Sequence, residues 1–190
     1  MSSKNVVVVI PIFNEEESIQ ETVFRLVALH EAQKDKIDFH YIFVDDGSVD
    51  KSLQLLREAS VAWEFVRVIS LSRNFGHQIA ITAGVDHAKG DYVAIIDGDL
   101  QDPPELIVSM FEVAERLGCD VVYGKRRSRA GETAFKRGSA ALFYRLIRYM
   151  CEIDIPTDTG DFRLMSRRAV ESFNNMRERH RFVRGMVPWM

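Results

Sequence analysis

Only two of the 190 residues are cysteine, Cys119 and Cys151, and they form no CxxC pair. That excludes a disulfide scaffold, argues against a zinc site and fits a reducing compartment. Long apolar runs are also missing. The longest, Val6 to Phe13, has eight residues even counting Pro11, whereas a helical membrane span needs ~20. No basic start leads into an apolar stretch and a small-residue cleavage site, so no signal peptide is read. There is no internal repeat and no low-complexity linker. Neither GxGxxG nor GxxxxGK followed by Ser or Thr occurs, which removes the common dinucleotide and P-loop readings.

What is present is an ordinary globular composition, 46% apolar and 28% charged. It excludes a disordered chain and allows about one domain with a real core. The net charge of -3 conceals an asymmetry: residues 1–120 carry -11, 121–151 carry +7 and 152–190 carry +1. A basic block inside an acidic protein asks for an anionic partner such as phosphate or anionic lipid, or else is a solvated face.

Short β-branched runs alternate with amphipathic stretches over the first 125 residues. Val6–Ile10, Phe39–Val44, Phe65–Leu71, Tyr92–Ile96 and Asp120–Tyr123 read as strands, and their lack of polar alternation suits a sheet covered on both faces. Helices are expected around Ile19, Val23, Leu26 and Val27, over Ser52–Ala59 after Asp50, over His77–Ala88 after Gly76, and over Glu105–Leu117 between the Pro103-Pro104 start and Gly118. This order predicts an α/β domain with a mostly parallel central sheet and flanking helices. Residues 133–151 read as a C-terminal amphipathic basic helix, able to lie on an anionic membrane surface or to pack on the sheet.

Parallel sheets bind ligands at the carboxyl ends of their strands. In this chain those ends carry Pro11-Ile12-Phe13-Asn14-Glu15-Glu16, Asp45-Asp46-Gly47-Ser48 and Asp97-Gly98-Asp99-Leu100-Gln101-Asp102. Gathered carboxylates repel one another and call for a cation or a hydrogen-bonding ligand. Asp97 and Asp99, one residue apart around Gly98, can share one hard cation with diphosphate oxygens. His77 and Gln78, at a helix start, suggest a structural or ligand-loop role more than acid–base work.

The segments VVIPIFNEEESI, FVDDGSVDKS, LSRNFGHQIAITAGVDHAKGDYVAIIDGDLQDPPELI and DTGDFRLMSRRAV resemble the family 2 inverting glycosyltransferases of GT-A fold. More narrowly, the chain is similar to the polyprenyl-phosphate glycosyltransferases, a group that includes dolichyl-phosphate mannose synthases and bactoprenol glucosyltransferases. The likeness covers about residues 5–190, and the RFVRGMVPW ending leans toward the bactoprenol members.

The resemblance implies an enzyme that moves glucose from UDP-glucose to a polyprenyl phosphate. GDP-mannose or another donor, or a non-lipid acceptor, is the alternative, and a silent nucleotide-sugar-binding module comes last. It implies that Pro11, Phe13, Glu15, Asp45 and Asp46 bind the nucleotide. It implies that Asp97, Asp99 and Gln101 hold Mg2+ or Mn2+ with the donor diphosphate. It makes Asp161 the expected base, Arg184 a donor-phosphate contact, and Arg126 and Arg137 part of the region receiving the lipid phosphate. Residues 1–125 become the nucleotide-sugar part of one catalytic domain, 1–190, and 126–190 the acceptor part. The expected partners are a nucleotide sugar, a polyprenyl phosphate and an anionic membrane surface. Nucleic acid is not expected, and a homo-oligomer is left open. The expected place is the cytoplasmic face of the inner membrane, with a membrane tail beyond Met190.

Overall fold

The computed structural model describes residues 3–125, 159–176, 178 and 182–189, without the side chains of Lys125, Thr159 and Arg184. The basic helix expected over 133–151, and with it Arg126, Arg137 and Cys151, lies outside them.

Six strands form one sheet: β1 (Lys4–Ile12), β2 (Ile37–Asp45), β3 (Val66–Ser70), β4 (Tyr92–Ile95), β5 (Val121–Lys125) and β6 (Thr159–Ser166). Helices α1 (Ile19–Gln33), α2 (Ser52–Ala62), α3 (His77–His87) and α4 (Leu106–Leu117) alternate with the first five strands, and α5 (Arg167–Asn175) and α6 (Val183–Trp189) follow β6. The spatial order is β3-β2-β1-β4-β6-β5. Strands β1 to β4 pair in parallel where they adjoin, and β6 runs antiparallel to both of its neighbours.

The run of four valines in β1 explains the layering. Successive side chains of a strand point to opposite faces. Val6, Val8 and Ile10 pack with Leu26 of α1, Leu56 of α2 and Met110 of α4. Val7 and Val9 pack with Ile81 of α3, Phe173 of α5 and Val187 of α6. The buried stripe of α1 is Ile19, Thr22, Leu26 and Leu29, with Val23 and Val27 on its flanks. Gly118, at φ 64°, ends α4 in the left-handed conformation and donates to the Ala114 carbonyl. The hydroxyl of Ser166 caps α5 by accepting from Ala169 N at 3.3 Å.

All five expected strands appear within two residues of their expected ends. Strand β6 and helix α5 were not anticipated. The charges of Asp161 and Arg163 within GDFRLM hide a strand that is buried on both faces: both residues are 0% exposed.

Strand β1 lies between β2 and β4, and the chain reverses its direction of travel across the sheet there. Helices α1 and α2 cover one face and α3 the other. That reversal opens a crevice beyond the carboxyl ends of β1 and β4.

Helix α3 sits tightly on this part of the sheet, because a Cβ at Gly84 would come within 2.2 Å of Val9 Cγ1 and 3.0 Å of Val44 Cγ2. Overpacking of this kind costs about 1–3 kcal/mol. Gly84→Ala is therefore expected to lower the urea midpoint at unchanged m-value, and an unchanged midpoint would show that α3 can slide off β1.

Candidate active site

The crevice is a cleft of about 330 Å³. Pro11, Phe13, Glu15, Asp46, Asp97 and Asp99 line it, together with Asn74 and His77. Asp45 and Gln101 are not among its walls. Asp161 lies behind it, fully buried. Arg184 is the second residue of α6.

Two loops at this edge are stitched together by short polar side chains. Asn14 N donates to Ser48 Oγ at 3.0 Å, and Asn14 Oδ1 accepts from Val49 N at 2.9 Å. Glu15 N donates to Ser52 Oγ at 2.8 Å, and Asp50 accepts from Ser52 N at 2.9 Å and Glu16 N at 3.1 Å. Asn14 takes φ 54°, a conformation its short amide tolerates. The start of α1 also holds the acidic turn after β4: the hydroxyls of Thr22 and Ser18 reach the Gly98 carbonyl at 3.0 and 3.3 Å. Gly98 packs closely there, since a Cβ would meet Ile12 Cδ1 at 2.3 Å.

The two aspartates of DDGS have different partners. Asp45 is 1% exposed and lies 3.3 Å from Ser48 N and 3.4 Å from Ser70 Oγ, which closes its own turn. Asp46 accepts from Phe75 N and Gly76 N, both at 2.8 Å, one on each carboxylate oxygen. It thereby shapes the loop that precedes α3. Gly47 makes room, at φ 71°, where a Cβ would stand 2.4 Å from the Arg73 backbone. The Arg73 guanidinium lies 4.8 Å from the Phe75 ring centroid.

Asp97 is the electrostatic centre of the cleft. Among the described residues its Oδ1 is buried without a hydrogen-bond partner, and His77 Nε2 lies 3.5 Å away. Burial pushes the Asp97 carboxyl above its ordinary range. His77 pulls it back, and Asp161, Asp99 and Asp102 push it further up. His77 Nε2 also lies 3.1 Å from Asp161 Oδ2. One ligand atom from each of His77, Asp97 and Asp161 falls within 4.8 Å of the others. A buried, orphaned carboxylate oxygen among further carboxylates is the donor set a hard divalent cation accepts. Asp99, exposed at the mouth, accepts from Gln101 N at 3.0 Å in a turn where Leu100 takes φ 58°.

The expected metal set and the observed cluster share Asp97 only. Asp99 sits on the same cleft wall, and Gln101 contributes its backbone to the Asp99 turn. His77, Gln78 and Arg163 are the residues the motif reading underrated. A signal for the first two lay in Gly76, whose φ of 99° turns the start of α3 toward the edge.

Arg163 is wholly buried. It donates through Nε to the Asp161 carbonyl at 3.1 Å and through one terminal nitrogen to Asp161 Oδ1 at 3.2 Å. That pairing keeps a charge on Asp161 tolerable in the interior.

The model of glycosyl transferase family 2 matches residues 7–173. The glycosyltransferase YkcC of Bacillus subtilis is 50% identical over 183 residues, covering 96% of this chain and 56% of that protein. The prophage bactoprenol glucosyl transferase homolog of Escherichia coli is 38% identical over 182 residues, 96% of this chain and 58% of that one. The chain thus spans little more than half the length of these relatives. Among solved structures, the mannosyltransferase PcManGT from Pyrobaculum calidifontis, in complex with GDP-Man and Mn2+, aligns at TM-score 0.62 and 19% identity over 90% of this chain and 47% of that one. At that identity the likeness is one of fold, and it agrees with the GT-A architecture expected from the motifs.

The raised Asp97 carboxyl makes a stability prediction. A native carboxyl that holds its proton more tightly than the unfolded one weakens the fold as pH rises through that window. Asp97→Asn should therefore melt at a higher temperature than the wild type at pH 7.5 in EDTA, and the gain should shrink as pH falls to the ordinary carboxylate range. Equal melting temperatures at pH 7.5 would remove the claim of electrostatic strain.

Proposed function

The chain belongs to glycosyl transferase family 2, and we propose that it moves glucose from UDP-glucose to a polyprenyl phosphate with inversion at the anomeric carbon. The observation that carries this reading is the carboxylate-lined cleft at the β1/β4 reversal, with the orphaned Asp97 oxygen in it. The likeness to bactoprenol glucosyl transferases supports the sugar and the lipid.

In this reading Pro11, Phe13, Glu15 and Asp46 form the nucleotide side of the cleft, with Asp45 bracing the turn. Asp97 and Asp99 hold a divalent cation, Mg2+ or Mn2+, with His77, Asp161 and Gln101 close by. Bound there, the ion neutralises diphosphate charge. An acceptor phosphate oxygen forms the new bond to the anomeric carbon while the bond to the nucleoside diphosphate breaks. With a second pKa near ~6, that phosphate is already largely deprotonated at neutral pH. Asp161, turned toward Arg163 and His77, then orients the site in place of accepting a proton. Arg184 meets the donor phosphates, and Arg126 and Arg137 receive the acceptor phosphate.

The topology supports the membrane side of the proposal. Strand β5 ends and β6 begins at the same sheet edge as the cleft, and most of the basic block, residues 126–151, lies between them in sequence. Phe13, Phe75, Ile79 and Phe182, all between 40 and 44% exposed, sit in segments at that edge. Apolar groups beside basic charge suit an anionic lipid surface. No helix among the described residues is long and apolar enough to cross a membrane. In this reading the protein works at the cytoplasmic face of the membrane, its residues 1–125 serving the nucleotide sugar and 126–190 the acceptor.

A donor panel tests the proposal. UDP-glucose, UDP-galactose, UDP-GlcNAc and GDP-mannose are each offered with undecaprenyl phosphate and Mn2+, with and without EDTA. UDP-glucose should give the fastest transfer, abolished by EDTA; no transfer from any donor overturns the reading. Asp161→Asn separates the two roles of that residue. We expect a loss of about 100-fold that is the same at pH 5.5 and pH 8, whereas a loss confined to pH 5.5 restores the proton-acceptor role.

A further inference from the structure

Helix α6 has seven residues with Pro188 inside, too few to be stable alone. Its place is set by what it touches. Val183 and Val187, 0% and 4% exposed, bury one side against the sheet. The polar ties are concentrated at its first residue. The Val183 N–H, one of the donors a helix start leaves without an internal partner, donates to Gln78 Oε1 at 2.9 Å. The Val183 carbonyl accepts from the Arg163 guanidinium at 3.3 Å.

The same two side chains hold Asp161. Gln78 Nε2 donates to Asp161 Oδ2 at 3.4 Å, and Arg163 donates to Asp161 Oδ1 at 3.2 Å. Both oxygens of one carboxylate and both backbone polar groups of one residue are therefore joined by two bridging side chains. Arg163 is suited to this because its rigid fork stays charged when buried. Gln78 is suited because an amide can donate at one end and accept at the other. Neither side chain lines the cleft.

We infer that Gln78 and Arg163 are positioning residues that register α6, and with it Arg184, against Asp161. The inference rests on the transfer reading for what Asp161 and Arg184 do, but its geometry does not. Docking of α6 and orientation of the Asp161 carboxylate become one event: loosening either end of the bridge frees the other. Activity then depends on Gln78 through Asp161, and donor affinity depends on it through Arg184.

Amide exchange by NMR, in the 190-residue chain, tests this directly. Gln78→Leu removes both contacts at similar size, and Gln78→Glu keeps an acceptor for the Val183 N–H while placing a like charge against Asp161. In Gln78→Leu the Val183 amide should exchange about tenfold faster while Val8 in β1 keeps its rate. The affinity for UDP with Mn2+ should fall more than about threefold, because Arg184 loses its register, and kcat should fall at least about tenfold. Gln78→Glu should retain Val183 protection yet lose kcat. Unchanged Val183 exchange in Gln78→Leu overturns the inference, as does an equal acceleration at Val8, which marks general destabilisation. Should the exchange pattern appear while the wild type transfers no sugar from any donor, the bridge stands and the transfer reading falls.

Discussion

Parallel pairing of β1 with β2 on one side and β4 on the other is the constraint from which the rest follows. It sends the chain out of all three strands at one edge, where the loops must find partners among themselves. They do so with short polar groups: Asn14, Ser48, Asp50 and Ser52 on one side of the cleft, Ser18, Thr22 and the Gly98 carbonyl on the other. A glycine is required where backbones meet, as at Gly47. The acidic cleft is a by-product of this crowding as much as its purpose.

Crowded carboxylates weaken the fold, and the structure offsets that only in part. Asp161 has Arg163 and His77; Asp46 has two backbone N–H groups; Asp97 keeps a buried oxygen without a hydrogen bond among the described residues and a carboxyl held above its ordinary range. Such an unrelieved group suits the divalent cation proposed for the cleft. The relief is also directional. Arg163 and Gln78 link Asp161 to the first residue of α6 without lining the cleft.

Most of the fold was legible because buried parallel strands write themselves as unbroken apolar runs, as in Val6–Ile10 and Phe39–Val44, and because helix ends carry Asp50, Pro103-Pro104 and Gly118. Strand β6 was not, since Asp161 and Arg163 give it the look of a polar loop until each is seen to neutralise the other in the interior. The acidic motifs of the cleft were legible by spacing, since DDGS and DGDLQD each follow a strand. The different jobs of Asp45 and Asp46, and the meeting of His77 with Asp161 across 84 positions, were not.

Local sequence determined which segments become strands and helices, where carboxylates would gather and which family the motifs resemble, because side-chain periodicity and turn chemistry act over a few residues. Only the tertiary structure decided which carboxylates face the cleft and which brace it, and what Arg163 pairs with. It also joined Gln78 to Val183 over 105 positions. Those outcomes depend on the order of strands in the sheet and on burial, and neither can be counted along the chain.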